Sequence, residues 1–389
     1  MNELFYYNPG NDIALAVNPA ASFTPPRQAA LLAHYGAPLM WWMGDTADFV
    51  LLPDAMSPDY LYQLDIWQRM VTERYGGGPV FTADCGGLSL SGVSPWGWSR
   101  YTVARLIRAG VDVRLLADIP VEIIRQLSHR HTAGLINEAI LTSLGSSWGT
   151  YLFAEPAFEA RSSAEVSAFI SAAGASEYYI KSPWSSSGRG VASSRVMTPV
   201  QLISRCEGVI RRQGSVMIER GHDKICDFAM LFETGSCGQI RFVGMSSFFN
   251  GRDVSYNGNR VTSDSAIIAD LCSYIPEKLL TDLIESLPSI LTDILAGAYS
   301  GYFGIDMMVI SSPSAPAGFA LVPCVELNLR MTMGVVAHRL FTRLGNVSGV
   351  MKVITPADKV VPLPENAVPL VPPNDYFNIV FIPSHSSNQ

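Results

Sequence analysis

The chain has 389 residues, which is two or three domains at the typical ~150 residues each. Hydrophobic residues make up 48% and charged residues 16%, which excludes wholesale disorder. With 27 Lys and Arg against 34 Asp and Glu, the formal net charge of −7 argues against a broad nucleic-acid-binding surface, which needs clustered basic charge.

Short apolar runs alternate with amphipathic segments through the first third. Leu4–Tyr7 predicts a strand, Pro26–Tyr35 a helix, and Pro38–Trp42 and Phe49–Leu52 further short strands. Pro58–Tyr75 has helical spacing, with Leu61, Leu64, Trp67 and Val71 on one face. Ser99 caps a helix through Ala109, Gly110 stops it, and Val111–Leu115 predicts the next strand. This alternation implies a small open α/β domain over 1–127 with a mostly parallel sheet.

Helical patterns follow at Leu127–Leu144, Ala164–Ala173 and Pro199–Arg212, with strands expected at Tyr151–Ala154, Tyr178–Lys181 and Val216–Glu219. Cys226–Phe232 and Gln239–Met245 predict an antiparallel pair. Lys278–Ala298 predicts a long helix that Pro288 breaks or kinks, two strands come next, and a helix runs from about Gly334 to Leu344. These elements define a region over 128–355, with subdomains at about 147–222 and 223–355. The Pro-rich tail over 356–389 is expected to run extended over the surface.

The N-terminus lacks a basic segment and carries Glu3 and Asp12 in its only apolar stretch, unlike a signal peptide. Met307–Val325 is uncharged, but Pro313, Pro316 and Pro323 make it a hairpin rather than a membrane span. The cysteines are scattered without a CxxC, the spacing of neither a zinc cluster nor a disulfide framework. A cytoplasmic protein with neither membrane nor nucleic-acid partners is expected.

Four features bear on chemistry. The strand ending at Lys181 opens into Ser182-Pro183-Trp184-Ser185-Ser186-Ser187-Gly188-Arg189-Gly190, where small residues let backbone N–H groups approach phosphate oxygens. An ordinary Ser-rich turn reads the same way. Val216–Glu219 delivers a carboxylate into the connection Arg220-Gly221-His222, suited to an adenine edge or to a strand-end salt bridge. Gly304–Ile310 carries the single acid Asp306. In Cys324–Arg330, alternation puts Glu326, Asn328 and Arg330 on one face. A hairpin turning near Pro316 sets Asp306 opposite Glu326, with Cβ atoms within about 5.5 Å. Two opposed carboxylates beside an amide oxygen form a hard oxygen site suited to Mg²⁺.

In this order the features resemble the ATP-grasp superfamily of carboxylate–amine and carboxylate–thiol ligases, from about Leu127 to Leu344. The resemblance implies a two-subdomain ATP-grasp fold, α+β in the catalytic half, behind a pre-ATP-grasp-like α/β domain. It implies ATP with Mg²⁺, two ions with Mn²⁺ as a substitute, and a small-molecule carboxylate with an amine or thiol acceptor. By position, Lys181 contacts the phosphates and Ser186, Ser187 and Gly188 lie in the phosphate loop. Glu219 approaches the adenine amino group, Arg220 and Gly221 lend backbone, and Asp227 falls on the ribose. Asp306, Glu326 and Asn328 match the metal ligands, and Arg330 the arginine near the reacting carboxylate. Arg130 stands where the family has a lysine entering the first helix. A kinase-like phosphotransferase and a non-catalytic nucleotide-binding module remain alternatives.

Other residues are open to two readings. Ser94–Ser99, with Trp96 and Trp98, lines an acceptor pocket or caps a core. Asn8–Asp12 follows the first strand, where open α/β sheets bind ligands, or is a plain turn. Arg252, Asp253, Tyr256, Asn257 and Arg260 form a substrate clamp or a solvated loop.

Overall fold

The structure, a computed structural model, describes residues 2–18, 23–174, 176–185, 188, 190–235, 238–250, 256–355 and 363–384. Ser186, Ser187, Arg189, Arg252 and Asp253 lie outside them.

The first sheet has four parallel strands, β1 (Glu3–Tyr6), β2 (Phe49–Leu51), β3 (Val80–Thr82) and β4 (Gly92–Pro95), in the order β3-β2-β1-β4. Around it lie α1 (Asn11–Val17), α2 (Arg27–Gly36), α3 (Pro58–Tyr75), α4 (Arg100–Arg108) and α5 (Val121–Leu127). The Ser57 hydroxyl caps α3 by accepting the Tyr60 N–H at 3.2 Å, and Ser99 caps α4 in the same way. In α3 the buried stripe is Tyr60, Leu64, Trp67 and Val71, with Leu61 exposed. Two expected strands are 3₁₀ turns instead. Ala37–Trp42 coils because Pro38 in its first turn lacks a ladder donor, and all six residues are buried. Val113–Leu115 coils under Asp112, whose carboxylate accepts the Arg114 N–H at 2.9 Å.

The helix expected over Leu127–Leu144 starts later and runs further. α5 ends at Leu127, the chain turns through His129-Arg130-His131, and α6 (Thr132–Trp148) begins afresh. The His129 ring nitrogen Nδ1 accepts the His131 N–H at 3.1 Å and stabilises that turn. Tyr151–Ala154 is not a full strand, because only a Leu152–Leu321 bridge forms.

The second sheet has four antiparallel strands, β5 (Phe158–Ala160), β6 (Tyr178–Lys181), β7 (Val191–Ser193) and β8 (Val216–Arg220), in the order β5-β8-β6-β7. It packs a small core with α7 (Ser163–Ala173) and α8 (Pro199–Gln213). Thr198 and Gln201 close a reciprocal capping box on α8.

The third sheet is antiparallel with eight strands in the order β13-β12-β9-β10-β11-β14-β16-β15. These are β9 (Lys224–Thr234), β10 (Ile240–Asn250), β11 (Tyr256–Val261), β12 (Gly301–Ser311), β13 (Phe319–Asn328), β14 (Gly349–Ile354), β15 (Val368–Pro369) and β16 (Asn378–Pro383). With it pack α9 (Asp264–Leu271), α10 (Glu277–Leu295) and α11 (Met333–Arg343). α10 runs on through Pro288 without a break.

Over 363–384, the described part of the tail, the chain does not simply run extended over the surface. β16 pairs with both β14 and β15, and Val368, Leu370, Val371, Phe377, Ile379 and Phe381 are buried. Apolar residues between the prolines outweigh the prolines themselves, and Trp42 and Trp67 donate their indole N–H groups to Leu370 and Pro369 at 2.8 Å each. Among the described residues no helix is long and apolar enough to cross a membrane.

Candidate active site

A cleft of about 1680 Å³ lies between the second and third sheets and reaches the first. Arg130, Lys181, Gly188, Glu219, Arg220, Asp227, Asp306, Glu326, Asn328 and Arg330 all line it. Gly221 does not line it, and its N–H is committed to the Glu177 carbonyl at 2.8 Å.

On the second sheet, antiparallel pairing sets Tyr179 opposite Glu219 and Lys181 opposite Met217. Lys181 and Glu219 are therefore diagonal neighbours on one face, and their side chains form an ion pair. Beyond Lys181 the chain leaves the ladder, turns at Gly188, whose φ of 74° suits glycine, and returns at Val191. Arg130 fastens this loop from the turn before α6. Its Nε donates to the Ser182 carbonyl at 3.0 Å and its Nη2 to the Ser185 hydroxyl at 3.2 Å.

On the third sheet, Asp306 of β12 stands directly opposite Glu326 of β13, and Gly304 opposite Asn328. A bulge after Asp306 then shifts the register by the turn. Asp227 of β9 pairs with Met308, two residues along β12 from Asp306. Burial, and next the charge of Glu326, push the Asp306 carboxyl from 3.8 up to about 7. Burial and then Asp306 push the neighbouring Cys324 thiol well above its ordinary value. Glu326 is itself held by Arg130, whose Nη1 lies 3.0 Å from Glu326 Oε2.

Among the described residues no group of three or more His, Cys, Asp or Glu side chains is placed to hold a metal. The pair of opposed carboxylates with the Asn328 amide oxygen is an oxygen-only set, and it fits Mg²⁺ that takes its other ligands from phosphates. The direct register of Asp306 against Glu326 is the observation behind that fit, because a cation between the two carboxylates would offset the repulsion that Glu326 adds to burial in raising the Asp306 carboxyl.

Arg330 joins this site to the first sheet. Its Nε donates to Asp12 Oδ2 at 2.7 Å, its Nη2 to Asn328 Oδ1 at 2.9 Å and its Nη1 to the Met331 carbonyl at 3.2 Å. Burial opposes the Arg330 charge, yet Asp12 and Glu326 outweigh it and hold the guanidinium above its ordinary value. Asp12 sits at the start of α1, just after β1, where an open parallel sheet presents its ligand-binding edge. That position was the sequence signal for it. Trp96 also lines the cleft, whereas Trp98 is buried and donates to the Ser300 carbonyl at 3.3 Å. Tyr256 lines the cleft, and Arg260 pairs with Asp270 outside it. Sequence reasoning missed Phe153 and Glu155, as well as Tyr7, Tyr376 and Phe377. None belongs to a recognisable spacing.

No protein-family model and no curated protein matches the sequence. Among solved structures, the biotin carboxylase–beta-gamma-ATP complex from Campylobacter jejuni aligns with a TM-score of 0.54 at 11% identity, covering 98% of this chain and 87% of its own. N5-carboxyaminoimidazole synthetase from Staphylococcus aureus, complexed with ADP, aligns over 100% of this chain and 94% of its own at 11% identity, with a TM-score of 0.48. The corresponding ribonucleotide synthetase from Thermus thermophilus covers 98% and 93% at 12% identity, with a TM-score of 0.46. At such identities the likeness speaks to fold alone, and the biotin carboxylase alignment carries it. A parallel α/β sheet leads into two antiparallel sheets that face each other across a cleft, and the chain has the ATP-grasp fold.

Proposed function

We propose that the protein is an ATP-dependent, ADP-forming ligase that activates a substrate carboxylate for attack by an amine or a thiol. One observation carries this reading. The opposed Asp306 and Glu326 share a cleft with Lys181, Glu219 and Arg330, so a divalent cation, a nucleotide and a carboxylate have complementary groups within one site.

In this reading Lys181, Arg130 and the loop Ser186-Ser187-Gly188 hold the ATP phosphates. Glu219 accepts from the adenine amino group, the Arg220 backbone borders the base, and the Gly221 carbonyl remains for it. Asp227 takes the ribose hydroxyls. Asp306, Glu326 and Asn328 hold Mg²⁺, which when bound neutralises phosphate charge. The division at residue 127, and a catalytic region of two subdomains behind it, belong to the same proposal.

The substrate carboxylate oxygen attacks the γ-phosphorus, the bond to the β–γ bridging oxygen breaks, and ADP leaves. The acceptor nitrogen then attacks the acyl carbon, the carbon–oxygen bond to phosphate breaks, and the amine proton departs with phosphate or solvent. Arg330 keeps the carboxylate beside the γ-phosphate, and Asp12 and Asn328 fix the arginine's plane. No protein nucleophile is needed, since positioning and charge stabilisation supply the catalysis.

Incubation with Mg²⁺-ATP and pooled carboxylates and amines tests the proposal. ADP, phosphate and a product heavier than the acid are expected. AMP with pyrophosphate, or a stable phosphorylated product in place of a condensed one, overturns it.

A further inference from the structure

Four consecutive residues after β6 are bonded to the turn between α5 and α6. Arg130 holds the Ser182 carbonyl and the Ser185 hydroxyl, and its own N–H donates to the Pro183 carbonyl at 3.2 Å. The remaining contact is made by Trp184, 7% exposed, whose indole N–H donates to the Arg125 carbonyl at 2.9 Å. That carbonyl lies in the last turn of α5, where a helix leaves carbonyls without partners of its own. The His129 N–H, four residues on, goes to the Gln126 carbonyl at 3.1 Å instead. The Arg125 guanidinium carbon lies 3.9 Å from the Trp184 ring centroid, and the His129 ring meets Trp184 edge-on at 4.7 Å. Gln213, at the end of α8, clasps the Trp184 main chain, accepting its N–H at 3.0 Å and donating to its carbonyl at 3.2 Å.

Arg125 has a second attachment. Its Nε donates to the Leu15 carbonyl of α1 at 2.7 Å, and α1 also packs against α8. The same short helix carries Asp12, which holds Arg330. One guanidinium therefore reaches the first domain with its edge and the Trp184 ring with its face. The returning arm of the loop rests on this joint. Ser182 donates its N–H to the Gly190 carbonyl at 2.9 Å, and Val191 donates to the Gly188 carbonyl at 3.0 Å. A Cβ on Gly190 would stand 2.4 Å from the Ser185 Cβ, so only glycine lets the two arms lie together. Serine and glycine make up most of the loop and offer little surface for packing, so its position is set by where its ends are held. Neither Arg125 nor Trp184 lines the cleft.

We infer that Trp184 and Arg125 are positioning residues for the nucleotide of the proposed ligase. They touch no phosphate, and they fix where the loop after β6 leaves and returns, so that Lys181 and the loop N–H groups meet the phosphates already in place. Ordering a loop on binding costs affinity, and a loop held beforehand avoids that cost. The inference rests on the ligase reading for the identity of the ligand and adds to it the residues that hold the loop.

The test uses the full chain carrying Trp184→Leu or, should that variant not fold, Arg125→Met, which leaves the carbonyl that Trp184 bonds. Calorimetric titration with Mg²⁺ and β,γ-methylene-ATP should give an affinity about tenfold or more below that of wild type. Hydrogen exchange read by mass spectrometry, without ligand, should quicken in the peptide that carries the Ser182, Trp184 and Val191 N–H groups. It should stay unchanged in β8, whose strand pairs with β5 and β6. A folded variant with wild-type affinity overturns the inference. So does exchange that quickens equally in the loop and in β8, because the two residues then serve only the stability of the second sheet. Failure of wild type to bind the analogue overturns the ligase reading instead, and the exchange measurement, made without nucleotide, still reads whether the joint holds the loop.

Discussion

Arg130 Nη1 lies 3.0 Å from Glu326 Oε2, tying the turn before α6 to the strand that carries the opposed acids. The same guanidinium holds the backbone of the loop after β6 at Ser182, so it bridges the two halves of the cleft. Bound phosphates would compete with Glu326 for it. Arg130→Ala should therefore lower Mg²⁺-ATP affinity by roughly ten- to a hundredfold, the worth of a charge-assisted contact. Arg130→Lys should recover part of that, because a point charge returns without the fork. An alanine variant with unchanged affinity by calorimetry removes Arg130 from the site.

Lys181 and Glu219 are paired, so each substitution also strips the other of its partner. Lys181→Met and Glu219→Gln should each weaken nucleotide binding by about tenfold or more. The double variant should fall clearly short of the sum of the single effects, because both changes break one shared contact. Strict additivity would show that the two side chains act apart.

Asp306 and Glu326 differ in what surrounds them, and their variants should differ in stability. The Asp306 carboxyl titrates near 7 in the fold and at an ordinary 3.8 without it. Its neutral form thus supports the fold fully below about 3.8, and that support is lost as pH rises through about 7. Asp306→Asn should raise the ligand-free melting temperature at pH 8 and leave it nearly level at pH 4. Glu326→Gln should lower it, by about 1–3 kcal/mol of stability, because Arg130 loses its carboxylate at a side chain only 6% exposed. Both should abolish ADP formation. Matching melting shifts across pH would refute the difference.

His129 provides a second pH signature, of opposite sign. Burial first, and then His131, lower its pKa from 6.5 to about 4, and its Nδ1 accepts the His131 N–H. A histidine held neutral in this way stabilises the fold fully above about 6.5, and the contribution disappears as pH falls through about 4. Wild type should lose stability over that interval more steeply than His129→Gln. Equal slopes in denaturant midpoints would contradict the assignment.

The tail is expected to behave as core. Phe381 is 2% exposed on a strand flanked by β14 and β15, so Phe381→Ala should cost about 3–5 kcal/mol. Removing residues 363–384 should leave β14 as an open edge and yield insoluble or unfolded protein. A truncated chain that melts like the full one would show the tail to be dispensable.

Local chemistry made much of this protein legible in the sequence. Alternation placed Glu326 and Asn328 on one face, and a short hairpin fixed Asp306 opposite Glu326, because strand period and turn position constrain near neighbours; Arg330, expected on the same face, lies beyond the end of β13. The lysine strand, the helix capped at Ser99 and the parallel character of the first sheet were likewise set by patterns a few residues long.

Contacts between distant segments were not legible. Asp12 and Arg330 lie 318 positions apart, and nothing in either stretch names the other. Pro38–Trp42 has strand-like residues, yet Pro38 lacks a ladder donor and the side chains are buried among the first sheet, α3, α11 and the tail, and a 3₁₀ coil forms. The turn at His129–His131, which aims Arg130 at Glu326, interrupts an otherwise continuous helical pattern. In the tail, prolines marked the chain as irregular, while Ile379 and Phe381 had a buried sheet waiting for them. Periodicity reports which side of an element is apolar, but which surface it meets is decided only when the whole chain has chosen how to bury its apolar area.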